Sequence, residues 1–282
     1  MARDLANLTV NVFPGGFNWP IYVGQDQGFF RAHGLSVALQ GTPDSMTQMT
    51  DFAAGRFDIA MTAVDNIVAY VEGQGQAPIG PQPDFVAVMG VDTGFLSLVT
   101  APEIRSVADL RGKTLSVDAM TTGYAFVLYE IMRRAGLDRD RDYAVVSAGG
   151  MAQRWQGLRE GRHHATLLSA PYNLVAGDSG FNVLVRATDV IGPYQGNVAA
   201  VRRSWAAQNT DTVVGYIRAY RAAVAWLRVA ANRDEAIEIL LRHSPQFPGC
   251  QRFRKLRQPG RMLSCWIRSS GFSPTARSIR AG

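Results

Sequence analysis

Short stretches of alternating apolar and polar residues are separated along this chain by stretches with helical spacing. Residues 8–13 alternate as a half-buried strand does, and Leu128, Ile131, Met132 and Ala135 lie on one helical face. Strands are predicted at residues 8–13, 35–39, 58–61, 85–91, 95–100, 115–117, 143–146, 165–168, 183–185 and 198–201. Helices are predicted at residues 19–33, 45–54, 65–72, 128–135, 153–159, 172–176, 213–227 and from 232 onward. This alternation favours an α/β protein with open parallel sheets covered by helices.

Length and composition set the class of protein. The chain has 282 residues, enough for one large or two medium domains, and 47% of them are apolar and 18% charged. That mixture is typical of a globular protein and not of a disordered one. Both cysteines, Cys250 and Cys265, come late in the chain, so no disulfide or thiolate metal site is expected in residues 1–249.

The net charge of +6 is concentrated at the end of the chain. Eight basic residues and no acidic ones follow Cys250, which leaves 21 basic and 23 acidic residues in 1–249. The main part is therefore nearly neutral, and we expect no nucleic-acid partner. The helical periodicity also ends after Pro245, so residues 248–282 are predicted to be an atypical basic tail without a stable core.

The first seven residues lead almost directly into the first strand. They lack the apolar segment of a secretory leader, and no stretch of the sequence is long enough to span a bilayer. Either the protein is cytosolic or a secretory signal precedes the chain as given.

Residues 106–117 and 121–124 form the most informative segment. They are typical of a capped turn, a Gly-Lys corner, a buried strand and a loop that opens into a helix. Free backbone N–H groups at such a helix start can bind a small polar or anionic molecule. A similar layout occurs earlier in the chain, so we expect two lobes that hold one small ligand between them.

Several ordered motifs resemble a known family. They include Gly-Phe-Phe at 28–30, Gly-Arg-Phe-Asp at 55–58, Asp-Leu-Arg-Gly-Lys at 109–113, and residues 158–162 and 169–172. In this order they resemble the periplasmic solute-binding proteins of ABC importers, in the branch of sulfonate, taurine, nitrate and thiamine-precursor binders. The resemblance covers roughly residues 8–245.

The resemblance implies a type II periplasmic binding protein fold. Two doubly wound parallel-sheet lobes would be joined by two crossing strands, near residues 91–95 and 194–198. The first lobe would comprise residues 1–96 and 195–247, and the second residues 97–194. Ligand would bind where the strand ends of the two lobes face each other.

Loops at the carboxyl ends of strands would line this cleft. Thr121, Thr122 and the N–H groups of Gly123 and Tyr124 are expected to bind an anionic group, unless Thr121 only caps its helix. Trp19 would be a stacking wall or would simply pack at its helix start. The full set of expected ligand-binding residues is Phe17, Asn18, Trp19, Thr42, Ser45, Asp65, Asn66, Met120, Thr121, Thr122, Gly123, Tyr124, Gly150, Met151, Ser169, Tyr172 and Tyr194.

The remaining polar and aromatic candidates also have two interpretations. Asp65 and Asn66 would bind a cationic or hydroxyl group, or Asp65 is an N-cap. Tyr172 and Tyr194 would close an aromatic wall, or they are ordinary half-buried tyrosines. The number of aromatic residues in the set favours an organic ligand with apolar area over a bare inorganic ion.

Two functions fit this fold. The first is a binding protein that closes on a small-molecule solute by hinge motion and presents it to an ABC permease in the membrane. The second is an enzyme on the same fold, such as the branch that makes the thiamine pyrimidine with a cysteine cluster and iron. Because residues 1–249 hold no cysteine and the chain has none of the common catalytic motifs, we favour a binding protein. We expect no cofactor, metal or catalytic residue, a monomer, and a location in the periplasm or at the outer face of the membrane, since the resemblance implies it.

Overall fold

Strands and helices alternate along the chain, as the sequence pattern predicts. The computed structural model describes residues 4–81, 83–121 and 124–244. Its strands are β1 (Ala6–Val12), β2 (Leu35–Gly41), β3 (Ile59–Ala63), β4 (Phe85–Gly90), β5 (Ser97–Thr100), β6 (Thr114–Val117), β7 (Ala144–Ser147), β8 (Ala165–Leu168), β9 (Asn182–Arg186) and β10 (Asn197–Arg202). Its helices are α1 (Trp19–Asp26), α2 (Phe29–Ala32), α3 (Ser45–Ala53), α4 (Val64–Val71), α5 (Ala125–Arg134), α6 (Met151–Arg159), α7 (Tyr172–Asp178), α8 (Ala187–Ile191), α9 (Arg203–Gln208), α10 (Thr210–Leu227) and α11 (Arg233–His243).

The described strands form two sheets of five. The first has the order β2-β1-β3-β10-β4, and the second has the order β7-β6-β8-β5-β9. Each sheet with the helices packed on it is called a lobe below. In the first lobe, the buried apolar residues Leu8, Val10 and Val12 of β1 and Ile59 and Met61 of β3 pack against α1 and α10. In the second lobe, β5, β6 and β8 pack against one face of α5.

Both sheets are mixed and not fully parallel. β1 runs parallel to β2 and β3, and β6 runs parallel to β7 and β8. β10 is antiparallel to β3 and β4, and β5 is antiparallel to β8 and β9. β5 and β10 each follow a segment that crosses from the other lobe, so no βαβ connection requires them to be parallel to their neighbours. The predicted α/β class with two sheets is confirmed, and the parallel expectation holds only for part of each sheet.

The two crossing segments lie side by side between the lobes. The Val91 N–H donates to the Asn197 carbonyl at 2.9 Å, and the Tyr194 N–H donates to the Thr93 carbonyl at 3.2 Å. The Asp92 carboxylate accepts the N–H groups of Gly94 and Asn197, each at 2.9 Å. One side chain thus binds both crossing segments. The predicted lobe boundaries, 1–96 plus 195–247 and 97–194, stay a prediction.

Local chemistry explains two differences from the predicted elements. The helix predicted over residues 19–33 is broken into α1 and α2 at Gly28, which has a left-handed φ of 72° that a residue without a Cβ adopts easily. The short helices α8 and α9 were not predicted, since five or six residues are too few to show a helical repeat.

The described helices include none with both the length and the apolar character that a bilayer span requires. The predicted basic tail at residues 248–282 lies outside the described residues.

Candidate functional site

A cavity of ≈ 140 Å³ lies between the two lobes. Its first-lobe wall comes from the loops after β1 and β2 and from the starts of α4 and β10, and its second-lobe wall comes from the loop after β6 and the start of α6. The lining residues are Phe13, Pro14, Phe17, Thr42, Pro43, Ala63, Asn66, Phe95, Asp118, Tyr124, Gly150, Met151, Ala152, Gln153, Arg154 and Asn197.

Aromatic rings make up much of the cavity wall. The ring centroids of Phe17 and Phe95 are 5.9 Å apart with 27° between their planes, and Tyr124 meets Phe95 edge-on at 5.9 Å. Phe13 and Met151 complete the apolar surface. Such a surface can hold a flat organic molecule through ring contacts and apolar burial.

Direct hydrogen bonds join the two lobes at the cavity. The Gly150 N–H at the start of α6 donates to the Pro43 carbonyl at 3.2 Å. The Tyr124 hydroxyl donates to Asn197 Oδ1 at 2.7 Å, and the Met120 N–H donates to Gln76 Oε1 at 2.9 Å. Backbone and side-chain groups of each lobe therefore satisfy groups of the other.

Two carboxylates reach across the cleft in opposite directions. Asp118, directly after β6, accepts the N–H of Ser45, the first residue of α3, at 3.1 Å. Asp65, in the first turn of α4, accepts the N–H of Tyr124, the residue before α5, at 2.8 Å. Each lobe thus places a negative charge at the start of a helix of the other lobe, where the helix dipole favours it.

Burial changes the proton affinity of both groups. Desolvation and, to a smaller extent, the charge of Asp118 raise the pKa of Asp65 to about 6, against the opposing effect of its hydrogen bond from Tyr124. Desolvation also raises the pKa of Asp118, although the charge of Arg154 and the hydrogen bonds from Ser45 oppose the shift. Within the described residues, Oδ1 of each carboxylate is buried without a hydrogen-bond partner.

Arg154 is a buried cation at the cavity. It lies in α6, is 4% exposed, and burial lowers its pKa. Its Nε donates to the Gly149 carbonyl at 3.1 Å, and its Nη1 donates to the Leu167 carbonyl at 2.7 Å and to Thr166 Oγ1 at 3.3 Å. These acceptors belong to its own lobe, so the side chain joins α6 to β8 and adds a positive charge near Asp118.

The structure brings six of the expected residues together at the cavity. They are Phe17, Thr42, Asn66, Tyr124, Gly150 and Met151. Ser45 and Asp65 lie next to it and take part in the bonds between the lobes.

Trp19 and Asn18 lie behind the cavity wall. The Trp19 ring is buried among residues of α1, α10 and α11, and its indole N–H donates to the Ala236 carbonyl at 2.8 Å. Asn18 Nδ2 donates to the Phe13 carbonyl at 2.7 Å. Of the two interpretations of Trp19, this placement fits packing at the helix start, and Asn18 supports the loop that carries Phe13 and Phe17.

Five further expected residues do not line the cavity. Ser169 donates to the Met151 sulfur at 3.1 Å, and Tyr172 packs with Trp155 in a separate apolar cluster. Tyr194 packs against the second-lobe core near Phe95, and burial raises its pKa. Met120 packs on the same core and Thr121 is half-buried, whereas Thr122 and Gly123 lie outside the described residues. The anion site expected at residues 121–124 therefore stays a prediction.

Sequence reasoning missed four polar residues of the cavity, which are Asp118, Gln153, Arg154 and Asn197. Asp118 follows the predicted strand 115–117 directly, so the strand-end rule that selected its neighbours would have found it. Arg154 in the predicted helix and Asn197 beside the predicted strand 198–201 carry no such signal. Only the folded chain shows that they face the same space.

A metal centre has no support in the part of the chain that the structure describes. No group of three or more His, Cys, Asp or Glu side chains there is arranged to hold a metal ion.

Known proteins with this fold bind different solutes. The nitrate-binding protein NrtA from Synechocystis PCC 6803 has a TM-score of 0.74 and 13% identity, with 86% of this chain and 67% of that chain covered. The alkanesulfonate-binding protein SsuA from Xanthomonas axonopodis pv. citri, bound to MOPS, has a TM-score of 0.72 and 16% identity, with 95% and 90% covered. At these identities the likeness concerns the fold.

The sequence comparisons agree with this fold. YtlA of Bacillus subtilis (strain 168), whose name describes it as a binding protein, is 23% identical over 234 residues, which cover 82% of this chain and 67% of YtlA. The model of the NMT1-like family matches residues 2–241. The resemblance to solute-binding proteins that the sequence motifs indicated is thus confirmed, and the chain belongs to the NMT1-like family.

Proposed function

We propose that this protein is the solute-binding component of an ABC-type importer. It captures a small organic molecule in the cavity between its lobes and presents it to a permease in the membrane. The observation that carries this proposal is that both lobes supply the cavity walls and are hydrogen-bonded to each other around it. A solute in such a space is contacted from both sides, so its binding favours the closed arrangement over an open one.

The crossing segments are the hinge in this proposal. They connect the two sheets, and their hydrogen bonds to each other keep them aligned while the lobes move apart or together. In this proposal the protein acts as a monomer outside the cytoplasmic membrane, and the nitrate-binding relative NrtA is a periplasmic protein.

Distance measurements between the lobes test this function. Thr50 on α3 and Gln156 on α6 are exposed and lie on opposite lobes, and Cys250 and Cys265 can be replaced by serine so that only two introduced cysteines carry spin labels. We expect a long or broad distance distribution without solute and a shorter, narrower one after addition of the low-molecular-weight fraction of bacterial growth medium and cell extract. A distribution that no fraction changes would contradict the proposal.

Mass spectrometry of the compound that stays bound to the protein after this addition completes the test. A binding protein returns the compound unchanged, whereas an enzyme returns a product of different mass. Recovery of a converted product would favour the enzyme on the same fold.

A further inference from the structure

Asp118, one of the residues that line the cavity, has a carboxylate oxygen that lacks a hydrogen-bond donor within the described residues. Asp118 lines the cavity and is 6% exposed, and its Oδ2 accepts the Ser45 N–H. Its Oδ1 is buried with no donor among the residues of the described ranges. A buried carboxylate oxygen without a donor is unfavourable, so a ligand that brings an N–H group to Asp118 gains a charge-assisted hydrogen bond.

Carboxylates outnumber the buried cation around Asp118. The charge of Asp44 raises the pKa of Asp118, although the charge of Arg154 lowers it by more. The charge of Asp118 in turn raises the pKa of Asp65. The buried cation opposite them is Arg154, whose Nε and Nη1 atoms already donate to acceptors of its own lobe. Three carboxylates near one guanidinium make the site unfavourable for a free anion and favourable for a cation.

The dimensions of the cavity limit the ligand to a single ring. Its volume is ≈ 140 Å³, and an apolar cavity of about 150 Å³ accepts a molecule of benzene. Phe17, Phe95 and Tyr124 form the wall against which such a ring can lie.

We propose that the cavity selects a small, single-ring solute with a cationic or N–H-rich group, which donates to Asp118 Oδ1, and that it disfavours carboxylates and sulfonates. This inference rests on the proposed function, since it names the solute class for the same cavity. It differs from the expectation of an anionic group at residues 121–124.

Three ring probes that differ only in charge test the selection. Benzamidine, benzamide and benzoate have the same ring and carry a positive, a neutral and a negative group. With the full-length protein at pH 7.5, isothermal titration calorimetry should show benzamidine binding at least tenfold more tightly than benzoate. Tighter binding of benzoate, or binding of none of the three probes, would overturn the inference.

The variant Asp118→Asn changes one acceptor into a donor at the same position. Its amide oxygen can still accept the Ser45 N–H, while its NH₂ group replaces the unpartnered Oδ1. We expect at least tenfold weaker binding of benzamidine and tighter binding of benzoate. Asp189→Asn, which removes an exposed carboxylate from the same lobe, is the matched control and should leave every affinity within twofold.

The outcomes separate this inference from the proposed function. Unchanged benzamidine affinity in Asp118→Asn would overturn the inference, and a failure of that variant to fold would leave the wild-type order of the probes to decide it. If the labelled lobes close on an anionic solute instead, the importer function stands and the cationic selectivity fails. If the lobes close on no solute at all, the proposed function itself fails.

Discussion

Gly150 is the residue at which the backbones of the two lobes meet. Its N–H donates to the Pro43 carbonyl, and a Cβ at this position would lie 2.6 Å from that carbonyl oxygen. Its φ of −64° and ψ of 179° are allowed for any residue, so the glycine is required by the close approach and not by backbone conformation. A methyl group here would obstruct the contact between the lobes without straining its own loop.

Gly150→Ala should therefore weaken closure and leave folding intact. The closed state should become less stable by about 1–3 kcal/mol, as for other overpacked contacts. In the presence of solute, the distance between the two spin labels should then be longer, and solute should bind more weakly. Gly177→Ala is the control, because its Cβ would meet only Val183 Cγ2, at 3.7 Å. Equal affinities of the two variants would show that the Gly150 contact does not contribute to binding.

Helices α1 and α11 pack together behind the cavity. Trp19 fills the space between them, and its indole N–H donates to the Ala236 carbonyl. At their ends, Asp26 of α1 pairs with Arg242 and His243 of α11. These contacts hold the last described helix on the first lobe, so Trp19 acts on stability and only indirectly on the cavity.

Trp19→Phe should lower stability without changing solute affinity. Besides the lost apolar area, it removes one buried hydrogen bond, worth about 1 kcal/mol. Trp155→Phe is a matched control, since Trp155 is also 4% or less exposed but its indole N–H has no partner within the described chain. Chemical denaturation should show a larger loss of stability for Trp19→Phe than for Trp155→Phe. A change in solute affinity of more than twofold in Trp19→Phe would indicate that Trp19 belongs to the binding site.

At the scale of the whole molecule, the two lobes are connected by the crossing segments, and these contain the buried carboxyl group of Asp92. Burial raises the pKa of Asp92 to about 7, against the opposing hydrogen bonds from Asn197 and Gly94. The same group in the unfolded chain titrates near 3.8. Between these values the folded protein binds more protons than the unfolded chain, so ionisation of Asp92 opposes folding.

The free energy of unfolding should therefore decrease as the pH rises from about 4 to about 7 and should level off above that. Each unit of pKa difference corresponds to about 1.4 kcal/mol, and Asp65, with a pKa raised to about 6, contributes with the same sign. Asp92→Asn should reduce this slope, as measured by urea denaturation at a series of pH values.

Asp84→Asn is the control for the pH series. Hydrogen bonds from Ser204 lower the pKa of Asp84. The contribution of Asp84 to the free energy of unfolding is therefore lost only at a pH below the usual titration range of an aspartate. An Asp92→Asn slope equal to that of the wild type and of Asp84→Asn would exclude Asp92 as the source.

The sequence predicted the elements of this molecule better than its site. The alternating and helical patterns located β1 and α5, because burial of one face of an element requires apolar residues at regular intervals along the chain. The rule of strand-end loops and helix starts selected Phe17, Asn66 and Gly150, which line the cavity, and their contact with a ligand stays a prediction. Trp19 shows the limit of the method, since an aromatic residue at a helix start has the same local signal whether it faces a cleft or a second helix.

By itself, the sequence determined the order of strands and helices, the α/β class and the family, because these follow from local periodicity and from motifs in a fixed order. Only the tertiary structure decided that β5 and β10 run antiparallel to their neighbours and that Asp118, Arg154 and Asn197 share one cavity. Their approach depends on how the two sheets pack across the crossing segments, and no repeat along the chain encodes a contact between residues so far apart.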